Sequence, residues 1–87
     1  SLEAKILADA DRLDAMGAIG IYRTVQYNLE NGYPAERVAE HIREKLLKLE
    51  RLLHTGTAKD MARGRSEALS IYLDALEEEL FDARSSK

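Results

Sequence analysis

The chain of 87 residues contains no cysteine, no tryptophan and one proline. Without cysteine it can form neither disulfides nor zinc–thiolate or iron–sulfur sites, and we expect a cytoplasmic location. The single proline, Pro34, and the absence of strand-like alternation leave nothing that opposes helix over most of the sequence. These absences favour an all-helical protein held together by apolar packing.

Charge of one sign and long apolar runs are also scarce. Lys and Arg number 13 and Asp and Glu 16, for a net charge of -3. Binding to nucleic acid needs a basic face, and a membrane span needs about 20 apolar residues in succession. The sequence therefore predicts neither nucleic acid nor a membrane as a partner.

Helical patterning predicts an all-α fold of four antiparallel helices with a long C-terminal helical hairpin. Apolar residues recur at spacings of three and four, as on one face of a helix. The predicted helices cover 2–16, 18–31, 34–54 and 57–83. Together they form one helical unit over residues 1–87.

Glycine and capping residues set the predicted helix boundaries. Gly17 and Gly20 predict a bend or break after the first helix, because glycine weakens helix continuation. Asn31 and Gly32 predict the end of the second helix. Before the last helix, Thr57 and Asp60 resemble a capping box, with aspartate in place of the usual glutamate.

Residues 9–14 hold three carboxylates and one arginine. Asp11 and Asp14 are three residues apart and lie on one partly apolar face of the first predicted helix. Two carboxylates there are costly unless a divalent cation or an arginine compensates them, so this pair indicates a metal or substrate site or a structural salt-bridge network. Asp9 points about 200° away from Asp11, and we expect it to be solvated and paired with Arg12.

Arg65 is the one charged residue in an apolar helical stripe. It is predicted to extend its charged end to water, to form a structural pair with Asp11 or Asp14, or to bind phosphate through its guanidinium. His41 and His54 are the only histidines. On one straight helix they would lie about 20 Å apart and could not share a metal ion, so we expect neither to be catalytic.

The stretch Ala-Asp-Arg-Leu-Asp-Ala-Met-Gly-Ala-Ile-Gly-Ile at residues 10–21 resembles the HD-domain metal-dependent phosphohydrolases. The likeness is to a small bacterial and archaeal branch of that superfamily. It continues through residues 44–49, through Thr55, Ala58, Ala62 and Arg65, and along the acidic helix to Glu79. The resemblance covers nearly the whole chain and implies that its helices are part of an HD-domain fold.

The resemblance also implies a chemistry. The family holds a divalent metal, such as Mn or Mg, with a histidine, an adjacent His-Asp pair and a distant aspartate, and the ion activates water to attack phosphorus. Asp11 corresponds to the distant aspartate and is the implied metal ligand. Asp14 is implied to act beside the metal or substrate, and Arg65 and Lys45 to contact phosphate. The implied substrate is a phosphorylated small molecule, with nucleotides as one candidate.

The chain departs from the family pattern at its start. The family's histidine and His-Asp pair precede the aspartate and are absent here. We therefore expect the C-terminal portion of an HD domain, which alone binds no metal and hydrolyses nothing. We also expect a missing N-terminal segment or a second copy of the chain to cover its apolar surface. The alternative is a non-catalytic helical interaction or oligomerisation module on an HD-like scaffold.

Overall fold

A computed structural model describes residues 1–85, and residues 86–87 lie outside the described part. The described chain folds into four α-helices and one 3₁₀ segment, with no strand between residues 1 and 85. The elements are α1 Leu2–Ala15, α2 Gly17–Glu30, α3 Ala35–Glu44, the 3₁₀ segment Leu46–Leu52 and α4 Gly56–Ser85. This confirms the predicted all-α class with four helices.

The corner between α1 and α2 depends on two glycines. Gly17 has a φ of 73°, in the left-handed region that favours glycine. A Cβ at Gly20 would lie 2.1 Å from the carbonyl oxygen of Ala15, so only glycine lets α2 pass so close to the end of α1. The predicted bend is confirmed, and it brings the start of α2 against the C-terminal end of α1.

A short turn then reverses the chain between α2 and α3. Gly32 adopts a φ of 69°, and the Tyr33 N–H donates to the carbonyl oxygen of Asn28 at 2.9 Å. The Asn28 side chain is buried, and its Nδ2 donates to the carbonyl oxygen of Pro34 at 3.1 Å. These bonds fix the turn, so α3 runs back along α2.

The predicted helix over 34–54 is divided in the structure. Regular α-helix ends at Glu44, Lys45 has non-helical dihedrals, and residues 46–52 form 3₁₀ turns that pack against α1, α3 and α4. The leucines of this segment at 46, 49 and 52 recur every three residues, which is the period of a 3₁₀ helix. A spacing of three fits both helix types, so the leucine pattern alone could not distinguish them.

The start of α4 also differs from the prediction. Thr55 provides the cap, since its Oγ1 accepts the Ala58 N–H at 3.2 Å, and the helix begins at Gly56. The capping box predicted from Thr57 and Asp60 was therefore wrong, since the cap lies two residues earlier.

The core lies where α4 crosses the other elements. Met16, Ile42 and Leu69 are fully buried at its centre. The remaining buried apolar side chains are Leu13, Val38, Ala39, Leu46, Leu53, Ala58, Ala62 and Leu73. Burial of this set holds α1, α3 and the 3₁₀ segment against α4. Among the helices of residues 1–85, none combines the length and the apolar character that a bilayer span requires.

Candidate functional site

A groove of about 840 Å³ runs between α2 and α3 and is closed at one end by the C-terminal part of α1. Its lining comprises Asp11, Asp14, Ala15, Gly20, Arg23, Thr24, Tyr27, Asn28, Tyr33, Arg37, Glu40, His41, Glu44, Lys45 and Leu46. The α2 and α3 members recur every three or four residues, so each helix contributes one face. Three of the four predicted site residues, Asp11, Asp14 and Lys45, lie in this groove, and Arg65 does not.

Antiparallel α2 and α3 give the groove two different ends. The corner at Gly20 lies beside the end of α1, so Asp11, Asp14 and Lys45 belong to that end, which we call the carboxylate end. At the other end, beside the α2–α3 turn, the groove is lined by Tyr27, Asn28, Tyr33 and Arg37, which we call the aromatic end. Arg23 lies between the two ends.

At the carboxylate end, two acids stand free of other side chains. Asp11 and Asp14 are exposed, and neither forms an ion pair or side-chain hydrogen bond with the rest of residues 1–85. Within that part of the chain, no group of three or more His, Cys, Asp or Glu side chains is placed to hold a metal ion. The end offers two carboxylate ligands and lacks the remainder of a metal site.

Two cations of the groove, Arg23 and Lys45, are likewise uncommitted. Arg23 and Lys45 form no ion pair with a carboxylate among residues 1–85, although four carboxylates share the groove with them. Glu44 is different because it lies 3.5 Å from Arg43 Nε and 3.6 Å from Lys48 Nζ. Free cations and free carboxylates in one groove are the combination that a phosphate with its divalent cation would occupy.

His41 lies on the same wall as Lys45. Burial and the nearby Lys45 ammonium both lower the pKa of His41 below its ordinary value of 6.5. The imidazole is therefore neutral at pH 7 and can accept a proton or a hydrogen bond. The sequence predicted only that His41 is not catalytic and gave no sign that it lines the groove.

Asp9 corrects a sequence prediction. Only 3% of the residue is exposed, and its two carboxylate oxygens accept the N–H groups of His54 and Thr55, each at 2.8 Å. Burial raises the pKa of Asp9, but these hydrogen bonds outweigh it and hold the pKa below the ordinary value of 3.8. The predicted solvated Asp9 paired with Arg12 was wrong, because the side chain points into the fold and Arg12 donates to the Leu52 carbonyl at 2.9 Å.

Arg65 lies on the opposite side of α1 from the groove. Its Nη1 donates to the carbonyl oxygen of Leu13, and its methylenes pass over Gly17, where an added Cβ would lie 3.0 Å from Arg65 Cγ. The partner is thus a backbone carbonyl, and neither Asp11 nor Asp14 pairs with it. Arg65 and Asp9 tie α1 to α4 and to the segment before it, and so position Asp11 and Asp14 at the groove.

Sequence reasoning missed four groove residues, Arg23, Arg37, Tyr27 and Tyr33. The Arg37 guanidinium lies 4.2 Å from the Tyr33 ring centroid, and the Tyr27 and Tyr33 rings are 6.2 Å apart at 57°. On α2, Gly20, Arg23 and Tyr27 follow at intervals of three and four, which could have marked one face. That this face meets α3 could be read only from the fold.

Comparison with known proteins finds a curated relative and solved structures that are similar to this chain. No protein-family profile matches the chain. The uncharacterized protein YpgQ of Bacillus subtilis is 37% identical over 92 residues, which cover 99% of this chain and 45% of YpgQ. The chain therefore spans about half the length of the curated relative that it matches.

Solved structures agree with that match. The Lin1889 protein of Listeria innocua superposes with a TM-score of 0.86 at 38% identity, covering 92% of this chain and 48% of its own. An HD-superfamily hydrolase of Bacillus thuringiensis superposes with a TM-score of 0.81 at 39% identity, covering 92% and 47%. YpgQ in complex with ADP gives 0.80 at 36% identity, covering 88% and 44%.

Proposed function

We propose, since this chain belongs to the HD superfamily, that it forms the C-terminal part of a metal-dependent phosphohydrolase. The reaction is cleavage of a phosphoester or phosphoanhydride bond, and nucleotides are the proposed substrates. The observation that carries the proposal is the groove in which unpaired Asp11 and Asp14 face unpaired Arg23 and Lys45. The relative YpgQ has been crystallised with ADP, which supports a nucleotide as ligand.

A divalent metal fits the carboxylate end only in part. Asp11 would supply one carboxylate ligand, and the exposed Asp14 one turn along α1 would hold a metal-bound or nucleophilic water by hydrogen bonding. The remaining ligands would come from a segment outside this chain, in line with the coverage of 45% of YpgQ. When bound, such an ion, Mn or Mg, polarises a phosphoryl oxygen and lowers the pKa of water.

The residues of this chain would bind and orient the phosphate. Lys45 and Arg23 are the cations nearest to the carboxylate end and would neutralise phosphate oxygens, with Arg23 able to bind through two N–H groups. Neutral His41 beside Lys45 would accept a proton or a hydrogen bond from the ligand. Arg65, which the resemblance assigned to phosphate, would act through α1 by holding the Leu13 carbonyl.

The test is a protein in which residues 1–87 are joined to an N-terminal segment carrying the histidine and the His-Asp pair. We expect it to release phosphate or pyrophosphate from nucleotides in a Mn- or Mg-dependent reaction. Asp11→Asn should lower the rate by more than about 100-fold and reduce the bound metal. The matched control is Asp60→Asn, an exposed aspartate of α4 outside the groove. No hydrolysis of any nucleotide or model phosphoester, or unchanged metal content in Asp11→Asn, would contradict the proposal.

A second candidate function is a non-catalytic interaction module. It is favoured by the large apolar side chains of α1 and α2 that lie outside the groove and are 51–75% exposed, namely Leu2, Ile6, Leu7, Ile19, Tyr22 and Leu29. Such a surface favours association with a further segment or with a second copy of the chain. Light scattering at micromolar concentration should then give a dimer or larger species. A clean monomer would argue against self-association.

A further inference from the structure

The aromatic end of the groove is not explained by phosphate chemistry. Phosphate and metal need the carboxylates and cations at the other end, whereas here two tyrosine rings and a guanidinium lie next to one another. Arg37 covers one side of the Tyr33 ring at 4.2 Å, and Tyr27 meets Tyr33 at 6.2 Å with its plane tilted by 57°. These contacts join side chains of α2, of α3 and of the turn between them at the aromatic end of the groove.

Tyr27 provides the exposed aromatic surface at this end of the groove. Its side chain lines the groove and yet is 59% exposed, while Tyr33 is half-buried under Arg37. An aromatic ring that is exposed to water inside a groove is well placed to stack with a ligand group that is flat and has an apolar face. The Arg37 guanidinium also stacks on flat π systems and retains donors after it contacts Tyr33.

The distance between the aromatic end and the carboxylate end follows from the spacing of residues along α2 and α3. Gly20 and Tyr27 are seven residues apart on α2, which is about 10 Å along the helix axis, and Arg37 and Glu44 are equally spaced on α3. Arg23 lies between the ends on the same wall. A ligand that reaches from the carboxylates to the rings must therefore have an anionic end, a spacer and a flat end, as a nucleoside phosphate has.

We propose that Tyr27, with the Tyr33–Arg37 stack behind it, binds the base of a nucleoside diphosphate or triphosphate whose phosphates point to Arg23 and Lys45. This assignment rests on the proposed phosphohydrolase function and adds the orientation of the substrate. Asn28 is a buried amide at this end, and one N–H of its Nδ2 donates to the Pro34 carbonyl. Because the exposed surface at this end is the Tyr27 ring, base binding should depend mainly on stacking, and different bases should be accepted.

The experiment measures binding to the 87-residue chain by calorimetry, with ADP, ribose 5-phosphate and pyrophosphate as probes. Tyr27→Ala should weaken ADP binding by about 5- to 150-fold, the range that loss of one base–aromatic stack gives. Pyrophosphate binding should change by less than about twofold, because the phosphate end is untouched. Tyr27→Phe should restore ADP binding, since stacking needs only the ring.

The matched control is Tyr22→Ala. Tyr22 is on the same helix and 69% exposed, but it is not among the residues that line the groove. Equal ADP affinity in wild type and Tyr27→Ala, or equal losses in Tyr22→Ala and Tyr27→Ala, would overturn the assignment of the base site. If that happens while the joined protein still hydrolyses nucleotides through Asp11, only the orientation is wrong. If neither ADP nor pyrophosphate binds, the phosphate site and the base site both fall.

Discussion

The two faces of α1 use the same kinds of residues in opposite ways. On the face toward the 3₁₀ segment and the start of α4, Asp9 and Arg12 hydrogen-bond to backbone groups 40 to 46 positions along the chain, and Arg65 of α4 bonds to the backbone of α1 in the same manner. On the face toward the groove, Asp11 and Asp14 have no such partner within residues 1–85. A charge bonded to backbone stabilises the fold, and a charge left free in a groove is available for a ligand.

This contrast gives the proposed site its rigidity. Arg65 fixes the Leu13 carbonyl, and Asp9 fixes the segment before α4. These bonds set the rotation of α1 about its axis without any contact in the groove. The groove residues need no mutual contacts to be positioned. Stability should therefore depend on one face of α1 and ligand binding on the other.

The largest expected effect on stability is that of Asp9→Asn. The amide can accept only one of the two backbone N–H groups and turns a donor toward the other, which leaves a buried mismatch. We expect the melting temperature at pH 7, followed by circular dichroism, to fall by roughly 5 to 10 °C. Asp11→Asn makes the same substitution two residues away, on the groove face, and should shift the melting temperature by less than about 2 °C. Equal shifts in the two variants would remove the distinction between the faces.

The acid dependence of Asp9 has a definite sign. Its pKa is lowered in the folded protein, so the unfolded chain binds a proton first as the pH falls. The contribution of Asp9 is therefore complete above the unfolded value of 3.8 and is lost as the pH falls through the lower folded value. Asp9→Asn cannot lose this contribution, so the difference in unfolding free energy between wild type and Asp9→Asn, measured by urea titration, should shrink as the pH falls below 3.8.

The sequence predicted the helical class and the corner at Gly17 because both follow from local rules of periodicity and glycine dihedrals. It could not predict that helix ends at Glu44, since the leucine spacing fits α and 3₁₀ turns alike. The sequence correctly predicted that Asp9 and Asp11 lie on different faces of α1. Whether that direction led to water or into the fold depended on His54 and Thr55, which lie 45 and 46 residues away.

The groove was foreseen only in part for a similar reason. Asp11, Asp14 and Lys45 were identified through the resemblance, and they do line one groove. Arg23 and Arg37 were missed because each is unremarkable on its own exposed helix face. They share a site only because the turn at Gly32 makes α2 and α3 antiparallel.

Arg65→Met should have an intermediate effect. Methionine keeps the aliphatic part of the side chain over Gly17 but removes the donor to the Leu13 carbonyl. We expect the free energy of unfolding, measured by urea titration, to fall by about 1–2 kcal/mol. Arg23→Met, on the groove face, should change it by less than about 0.5 kcal/mol. A larger loss in Arg23→Met than in Arg65→Met would reverse the roles assigned to the two arginines.

The smallest expected effect is on the titration of His41 in the groove. Since burial and Lys45 lower the pKa of His41, the unfolded chain takes up this proton first, and stability should decline slightly as the pH falls below 6.5 toward the folded value. Lys45→Met should raise the pKa of His41 in an NMR titration, because it removes one of the two causes. Lys48→Met is the control, as Lys48 pairs with Glu44 and is not among the residues that line the groove.

Adding pyrophosphate should raise the pKa of His41 in the wild type, since an anion beside Lys45 offsets its charge, and an unchanged titration would mean that the anion binds elsewhere.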